Sequence, residues 1–317
     1  MKYYLGIDLG GTDIKVGVIG EDYNIVAKHS VPTLSHRPPE EIIADMADAG
    51  KTVVKKAGLS ECDISHIGIG VPGAVNSNTN IIILAPNLGW RDLDFIPLFK
   101  KHWDLPVFLG NDADAAVLAE AYAGAAKEYD NVVLLTLGTG VGGGFVFDKK
   151  LFTGGGFGTE PGHIIIVADG EPCNCGARGC LEAYTSVTGL LREALKIMEK
   201  YPDSLLHKLC VGDTTQLNGK IIFDAAKQND PAAKIIVNDY VRHLGAGIAT
   251  FCNALRPQVI LLGGGVCDAG EPLFGPLDKI VDSLVFKTGD GKIPPILRAE
   301  LGNDAGIIGA ALFGIGM

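Results

Sequence analysis

Residues 3–20 read YYLGIDLGGTDIKVGVIG, two apolar and β-prone runs joined by the turn Asp8-Leu9-Gly10-Gly11-Thr12-Asp13. Because glycine tolerates positive φ, the pair Gly10-Gly11 predicts the tight turn of a β-hairpin whose tip exposes backbone N–H groups to an anion. Asp8 lies at the mouth of this turn, and the Thr12 hydroxyl and the Lys15 ammonium suit phosphate oxygens. The alternative is an ordinary hairpin with a solvated Asp8 and Lys15.

The same construction returns at residues 132–147. The run Val-Val-Leu-Leu-Thr-Leu is followed by Gly138-Thr139-Gly140-Val141 and then by more glycines and Phe-Val-Phe, so the order is again strand, glycine turn, strand. Helical and strand patterns alternate through the rest of the chain, beginning with a helix at 40–57 and a buried strand at 64–71. The sequence therefore predicts an α/β protein with an internally duplicated fold.

Two stretches, 68–73 and 138–143, match the pattern G-x-G-x-x-G. A dinucleotide-binding turn requires a helix directly after its glycines, but the second stretch continues into a Phe-Val-Phe strand and the first contains Pro72. A G-x-x-x-x-G-K-[ST] loop is absent from the sequence. Neither a Rossmann dinucleotide site nor a P-loop is therefore expected.

Length and charge limit the class of protein further. The 317 residues suffice for two lobes of about 150 residues each. The formal net charge is −10 and no cluster of five or more Lys and Arg residues occurs, which argues against nucleic-acid binding. No apolar run approaches the roughly 20 residues that span a bilayer, so no membrane association is expected.

The amino terminus and the cysteines bear on the compartment. The chain begins Met-Lys-Tyr-Tyr and lacks the basic and long apolar regions of a signal peptide. The cysteines are odd in number, and four of them are scattered singly in apolar surroundings: Cys62, Cys210, Cys252 and Cys267. Reduced thiols fit this pattern, so we expect a cytoplasmic protein.

One imidazole and three sulfurs are grouped in the middle of the chain, from His163, Cys173, Cys175 and Cys180. This ligand set closes a tetrahedral structural Zn²⁺ site. Because four softer groups complete the coordination, the flanking carboxylates of Glu160 and Glu182 stay free to hold something else. Two alternatives remain open: a disulfide from Cys173 or Cys175 to Cys180, and a packed His163 beside sulfurs that bind metal alone.

A short buried strand at 106–110 delivers Asn111 and Asp112 at its carboxyl end, before an alanine-rich helix predicted at 115–126. Ligand and catalytic groups of open α/β sheets gather at such strand ends. Asp112 is therefore a candidate base and Asn111 an orienting amide. The alternative is that Asn111, Asp112 or Asp114 simply caps the helix.

The remaining elements follow from periodicity and turn residues. Residues 186–200 and 221–255 read as helices, the latter broken at Asn229-Asp230-Pro231. A buried strand at 257–262 ends in Gly263-Gly264-Gly265-Val266, and a helix of small residues follows at 307–313. The run Ile164–Val167 is strand-like.

Together these motifs resemble those of the ROK (repressor, open reading frame, kinase) sugar kinases, from residue 3 to about residue 313. The His and Cys cluster is the most specific of them, whereas one glycine loop alone is weak. The resemblance implies an actin-like ATPase fold, ribonuclease H-like and duplicated, with two lobes and a central cleft. Residues 1–113 with about 300–317 would form the small amino-terminal lobe. Residues of about 114–299 would form the large lobe, which carries the zinc site and the adenosine-side loop.

The resemblance further implies transfer of the γ-phosphoryl group of ATP to the 6-hydroxyl of a hexose. Asp8 would hold Mg²⁺ through water, and Asp112 would accept the proton of the attacking hydroxyl. The phosphates would be gripped by Gly10, Gly11, Thr12, Lys15, Thr139 and Gly140, with Gly264 and Gly265 beside the adenine nucleoside. The sugar would be hydrogen-bonded by Asn87, Asn111, Asp112, Glu160, His163 and Glu182.

Glucose is the expected hexose, because the whole pattern is nearest that of the glucose-specific members. N-acetylmannosamine, N-acetylglucosamine and fructose stay open, since the Glu-x-Gly-His loop with Asn-Asp occurs across those subfamilies. A non-catalytic sugar sensor is the contrasting class. Repressors of the family carry a DNA-binding domain before this body, and Gly6 lies too near Met1 for one. The resemblance also implies a homodimer.

Overall fold

A computed structural model describes residues 2–287 and 291–316. The chain divides into two compact units. Unit 1 comprises Met1–Leu134, Gly143–Thr159 and Ala299–Met317, and unit 2 comprises Leu135–Gly142 and Glu160–Arg298. The lobe boundaries given by the resemblance stay a prediction.

The main sheet of unit 1 has the strand order β3-β2-β1-β4-β8. Its strands are β1 (Tyr3–Leu9), β2 (Asp13–Gly20), β3 (Ile25–Pro32), β4 (Ile64–Val71) and β8 (Val107–Asn111). Strand β1 pairs antiparallel with β2 and parallel with β4, and β4 pairs parallel with β8. Parallel strands are buried on both faces, which explains why β1 and β4 read as almost continuous apolar runs.

A second, three-stranded sheet of unit 1 follows β4. Its order is β5-β6-β7, with β5 (Ala74–Asn76), β6 (Ile81–Ala85) and β7 (Trp90–Asp94) paired antiparallel. A 3-10 turn, Pro86–Leu88, connects β6 to β7 and carries Asn87. Trp90 at the start of β7 is almost fully buried in the core of this unit.

Among the described residues, unit 1 contains four α-helices: α1 (Pro39–Lys56), α2 (Phe95–Lys100), α3 (Asp112–Ala123) and α10 (Ala305–Gly316). Helix α10 lies directly on the main sheet, where a Cβ at Gly6 would fall 1.8 Å from the carbonyl oxygen of Ile307. A Cβ at Gly68 would likewise fall 1.7 Å from that of Ala310. Only glycine at these two strand positions lets the helix backbone approach so closely.

The third sheet has the order β11-β10-β9-β12-β13. Its strands are β9 (Val132–Leu137), β10 (Val141–Phe147), β11 (Lys150–Leu151), β12 (Val259–Gly263) and β13 (Ile296–Arg298). The arrangement repeats that of the main sheet of unit 1: a hairpin with one antiparallel neighbour on its outer side and two further strands on its inner side. The predicted duplicated α/β fold is confirmed.

Unit 2 is mostly helical outside its strands. Its helices are α4 (Leu181–Thr185), α5 (Val187–Met198), α6 (Leu205–Leu209), α7 (Gly219–Lys227), α8 (Pro231–Leu255) and α9 (Glu271–Leu284). Helix α8 starts with proline in its first turn and an Asp230 side chain that accepts from Ala233 N–H. None of the described helices is long and apolar enough to cross a membrane.

Most predicted elements are confirmed to within a few residues, including α1, β4, α5, β12, α10 and the break before α8. Two predictions are wrong. The helix expected at 115–126 begins at Asp112, because Asn111 caps it and the first turn can therefore start earlier. The run Ile164–Val167 is not a strand: it makes one isolated bridge, Ile165 to Cys180, because the metal-cluster loop curls back on it.

Candidate functional site

The carboxyl ends of three parallel strands meet at one edge of the main sheet of unit 1. Asp8 of β1 pairs with Gly70 of β4, which pairs with Gly110 of β8, and Asn111 follows directly. Two strand spacings separate Asp8 from Gly110, about 10 Å. The Asp8 carboxylate and the side chains that follow Gly110 therefore lie at the same edge of the sheet.

Asp8 is held in a mostly buried position at this edge. Lys15 Nζ lies 3.7 Å from its carboxylate, and a Cβ at Gly306 would fall 2.6 Å from the Asp8 Cγ. Burial raises the pKa of the Asp8 carboxyl, and the nearby Lys15 ammonium partly offsets the rise. The start of α10 therefore backs onto Asp8, a neighbour that the sequence pattern did not predict.

The tip of the first hairpin is closed by the Gly10 N–H, which donates to the Asp13 carbonyl at 2.9 Å. The N–H groups of Gly11 and Thr12 donate to no acceptor among the described residues, as an anion cradle requires. The predicted reason for the glycines is wrong, since neither Gly10 nor Gly11 has positive φ. Close approach requires them instead: a Cβ at Gly10 would lie 2.9 Å from the Asp13 carbonyl oxygen.

Asn87 lies beside this tip. A Cβ at Gly11 would fall 3.3 Å from the Asn87 Cβ, so the 3-10 turn before β7 packs against the hairpin. The Asn87 side chain is exposed. Its amide is therefore accessible to a ligand, and the sugar-binding role that the resemblance implies for Asn87 stays a prediction.

Asn111 is the cap of α3, the alternative that the sequence left open. Its Oδ1 accepts from the N–H groups of Ala113 at 2.7 Å and Asp114 at 3.3 Å, and its Nδ2 donates to the Gly73 carbonyl at 2.8 Å. These bonds fix the side chain and leave one amide proton for a ligand. Asp112, the first residue of α3, is exposed, and its Oδ1 accepts from Ala113 N–H at 2.9 Å.

The second hairpin tip, in unit 2, is anchored by the start of α5. The Gly138 carbonyl accepts from Val187 N–H at 2.8 Å, and the Thr139 carbonyl accepts from the Thr188 hydroxyl at 2.9 Å. The tip itself is closed by Gly138 N–H, which donates to the Gly140 carbonyl at 3.0 Å. Among the described residues the N–H groups of Thr139 and Gly140 have no acceptor, so this tip also offers donors to an anion.

Glu182 joins this hairpin to the metal-cluster loop. Its Oε2 accepts from Val141 N–H at 2.9 Å, and its Oε1 lies 3.5 Å from Cys173 Sγ. A Cβ at Gly140 would fall 2.5 Å from the same Oε2, which explains the glycine. The Glu182 carboxylate is therefore a structural tie as well as a candidate ligand for sugar, and the sequence pattern predicted only the second role.

The turn Glu160-Pro161-Gly162-His163 packs on Val141 of the second hairpin. A Cβ at Gly162 would fall 2.0 Å from the Val141 carbonyl oxygen, so only glycine fits there. Glu160 remains exposed and His163 half-buried. Unit 2 thus brings together Thr139, Gly140, Glu160, His163 and Glu182, while unit 1 brings together Asp8, the first hairpin tip, Asn87, Asn111 and Asp112.

The four predicted metal ligands lie together, with their ligand atoms all within 4.8 Å of one another. His163 Nδ1 lies 3.6 Å from Cys173 Sγ, and Cys175 Sγ lies 3.6 Å from Cys180 Sγ. Zinc–ligand bond lengths in a tetrahedron give edges of about 3.6 Å for N···S and about 3.8 Å for S···S. The residues therefore fit a zinc ion.

The disulfide alternative fails, because all seven cysteines are free thiols and a Cys175–Cys180 bond would need sulfurs about 2.05 Å apart. Burial raises the pKa of the Cys180 thiol, and backbone N–H donation from Ala177 lowers that of Cys175. A bound dication favours the thiolate over the thiol at every ligating cysteine. A bound zinc ion would therefore favour the thiolate of Cys180 in spite of its burial.

A cavity of about 640 Å³ lies in unit 2 between α7 and the loop after β12. Gly265 and Val266 line one wall, and Asn218, Lys220 and Phe223 of the α7 region line the other. Gly264 has φ of +87°, and a Cβ there would fall 2.3 Å from the Leu137 carbonyl oxygen, so this loop packs on the end of β9. The place of Gly264 and Gly265 beside the adenine nucleoside, which the resemblance implies, stays a prediction; the α7 wall was not predicted, because its apolar spacing is that of any amphipathic helix.

Two sheets of matching order, each with a glycine-tipped hairpin, define the fold of the actin-like ATPases. A family model described as "ROK family" matches residues 4–315. The chain belongs to the ROK family.

Known proteins of the family include enzymes and regulators. The chain is 38% identical over 309 residues to a glucokinase from Thermotoga maritima, which covers 97% of this chain and 95% of that protein. It is 27% identical to a xylose repressor from Caldicellulosiruptor bescii, over 89% of this chain and 70% of the repressor. The crystal structure of a ROK family glucokinase from Streptomyces griseus in complex with glucose and AMPPNP matches with a TM-score of 0.77 at 34% identity, covering 98% of each chain.

Proposed function

We propose that the protein is an ATP-dependent glucose kinase that phosphorylates the 6-hydroxyl of glucose. The observation that carries the proposal is the edge of the main sheet in unit 1, where Asp8, beside the first hairpin tip, lies about two strand spacings, roughly 10 Å, from Gly110, which precedes Asn111 and Asp112. Similarity to glucokinases at up to 38% identity supports the sugar and the reaction.

Phosphoryl transfer depends on positioning and charge neutralisation more than on covalent chemistry by the protein. The unused N–H groups of Gly11 and Thr12 and of Thr139 and Gly140 supply neutral donors for the phosphates of ATP, and Lys15 supplies a positive charge. Such preorganised donors act where negative charge develops in the transition state. Because the net charge of the chain is −10, phosphate must be bound by such individual donors and not by a general positive charge of the protein.

Asp112 accepts the proton of the attacking hydroxyl in this proposal. Its carboxylate is exposed at the start of α3, next to the fixed amide of Asn111, so a hydroxyl can reach it. The sugar is hydrogen-bonded by Asn87, Asn111, Glu160, His163 and Glu182. Mg²⁺, held by Asp8 through water, would neutralise charge on the transferred phosphoryl group.

The cavity beside Gly265 suits the nucleoside of ATP. Its walls combine apolar surfaces, such as Val266 and Phe223, with polar groups such as Asn218 and Lys220. A purine nucleoside needs both kinds of surface: apolar groups contact the faces of the base, and polar groups bond its edge and the ribose.

Zinc in this proposal is structural. The cluster offers four ligands and keeps no open position, so a bound ion would fix the loop that carries Glu160 and Glu182. His163 would ligate through Nδ1, which lies toward Cys173, and leave Nε2 for the sugar.

We further propose a homodimer in the cytoplasm, on the resemblance to the family and on the free thiols. Light scattering after size exclusion tests the first part, because a monomeric mass would contradict it.

A coupled assay of ADP release tests the function, with Mg-ATP and a panel of glucose, mannose, fructose, N-acetylglucosamine and N-acetylmannosamine. We expect turnover to be fastest with glucose and zinc to be stoichiometric in the same sample. Fastest turnover with another sugar would correct the substrate. Binding of glucose without turnover on any sugar would favour a regulator, the class to which the xylose repressors belong.

A further inference from the structure

Unit 1 contains a second cavity, of about 520 Å³, that the proposed reaction does not use. One wall is the segment 35–39 between β3 and α1, and the other is the segment 87–93 around β7. Asn87 alone among the lining residues belongs to the proposed sugar-binding set, and neither Asp112 nor Asn111 lines it. The cavity is therefore separate from the catalytic edge.

The charges of the lining are of one sign. Arg37, Arg91 and His36 line the cavity, and no Asp or Glu of the part of the chain that the structure describes does, although the net charge is −10. Arg37 is paired with Asp45, and its Nη1 lies 3.9 Å from Glu41. Arg91 is exposed and makes no ion pair among the described residues. Arg91 therefore supplies the uncompensated positive charge, with the ring N–H of His36 nearby.

Two buried N–H donors in the same lining lack acceptors. They are Nε of Arg37 and Nε1 of Trp90, whose side chain is only 3% exposed. Both nitrogens are almost inaccessible, so neither donates to a ligand in the cavity; the Ser35 hydroxyl and the His36 ring are the uncharged donors of the lining that a ligand can reach.

The cavity also adjoins the first hairpin. Thr33, just before its first wall, donates its hydroxyl to the Gly10 carbonyl at 2.7 Å and its N–H to the Thr12 carbonyl at 2.8 Å. Asn87, at the start of the other wall, packs beside Gly11. Both walls are thus continuous with the hairpin tip.

We propose that this cavity is an anion site for a phosphate-type oxyanion, either inorganic phosphate or the phosphoryl group of a sugar phosphate, with Arg91 as its principal ligand. A guanidinium offers paired N–H groups that match two phosphate oxygens, and the Ser35 hydroxyl and the His36 ring can donate to further oxygens. Binding at this site requires no turnover, so it stands or falls independently of the proposed kinase activity.

Calorimetric titration of inorganic phosphate into the full chain tests the site, without nucleotide or hexose and in a phosphate-free buffer. We expect saturable binding that weakens about tenfold in Arg91→Gln, the effect of losing one charge-assisted contact. Lys101→Gln is the matched control, because it removes an exposed cation of the same unit outside the cavity. It should leave the affinity unchanged.

Glucose 6-phosphate and glucose, titrated in parallel, distinguish the two sources of the anion. A sugar phosphate that binds more tightly than phosphate, with the same dependence on Arg91, identifies the phosphoryl group of a sugar as the ligand. Equal affinity identifies free phosphate. Because Trp90 lies in the wall, tryptophan emission gives a second readout if the heat is small.

Two results would overturn the proposal. One is the absence of any saturable change in heat or emission with either phosphate ligand. The other is an affinity that Arg91→Gln leaves unchanged while Lys15→Gln reduces it, since this would place the phosphate at the first hairpin.

Discussion

The two hairpin tips have the same construction, but the carboxylate beside each comes from a different part of the chain. The first carries its own carboxylate, Asp8, on the strand that enters the turn, whereas the same place before the second turn is taken by Thr136. The carboxylate beside the second turn comes from a distant segment: Glu182 accepts a hydrogen bond from Val141 N–H. Duplication thus preserved the strand, the glycine turn and the free N–H donors, and the charged groups around them diverged.

This difference assigns different tasks to the two tips. Asp8 is mostly buried and lies against Gly306, and this burial raises its pKa. A carboxylate that is destabilised in this way is typical of a functional site, where a bound ligand stabilises the charge. Glu182 is bonded to the backbone of the hairpin and approached by Cys173, so it also transmits the position of the metal-cluster loop. The first tip is the candidate for chemistry and the second for alignment.

The largest effect is expected at the edge of the main sheet that carries Asp8 and the first tip. Asp112→Asn keeps the shape of the side chain and removes the base, so kcat should fall about a thousandfold, while glucose affinity changes little. Steady-state kinetics and glucose titration measure the two quantities. Near-normal turnover would remove Asp112 as the base and end the distinction between the tips.

Asp8→Asn should separate function from stability. Loss of the carboxylate that would hold Mg²⁺ should lower kcat about a hundredfold. The raised pKa means that the Asp8 carboxyl contributes stability when protonated, below its ordinary pKa, and that this contribution is lost as pH rises through the raised value. At pH 7 the variant should therefore melt at a higher temperature than the wild type.

The control is the difference in melting temperature at about pH 3, where both side chains are neutral and the stabilisation should vanish. Thr136→Asn changes the matching position of the second hairpin and should not reproduce the pattern. A variant that melts lower at pH 7 would contradict the burial account of Asp8.

Two substitutions at Glu182 sharpen the role of the second tip. Glu182→Gln keeps an oxygen for Val141 N–H, so it should raise KM for glucose and leave KM for ATP nearly unchanged. Glu182→Ala leaves that N–H without a partner and should raise both constants, ATP by about tenfold. Equal effects of the two variants on ATP would mean that the bond to Val141 does not position the phosphate hairpin.

The smallest effect is expected at the metal cluster. Cys175→Ser should lose stoichiometric zinc and raise KM for glucose a few-fold, because the loop before Glu182 loosens while the chemistry is untouched. Zinc content by mass spectrometry measures it. Cys62→Ser, an exposed thiol outside the cluster, is the control. Full zinc content in the Cys175 variant would contradict the ligand assignment.

Features set by local sequence were predictable. Both hairpins follow from apolar runs around glycine turns, and the His and Cys spacing indicated the metal cluster before any distance was known. The cap of α3 by Asn111 was foreseen as an alternative, because capping depends on neighbouring residues.

Features set by distant contacts were not predictable. Gly10 and Gly11 avoid clashes with Asp13 and Asn87 and do not adopt positive φ, and only the packed turn reveals this. The bond from Val141 to Glu182 joins residues 41 positions apart. The α7 wall of the cavity of about 640 Å³ in unit 2 reads as an ordinary amphipathic helix, since the spacing that packs a core also lines a pocket.

Phosphorus NMR of the chain with Mg-ATP and glucose tests the central claim most directly, with the wild type and Asp112→Asn compared side by side. The account predicts resonances of ADP and of a hexose 6-phosphate in equal amounts for the wild type, and almost none for the variant over the same time. Absence of the sugar phosphate with the wild type, or its formation at the same rate by the variant, would contradict it.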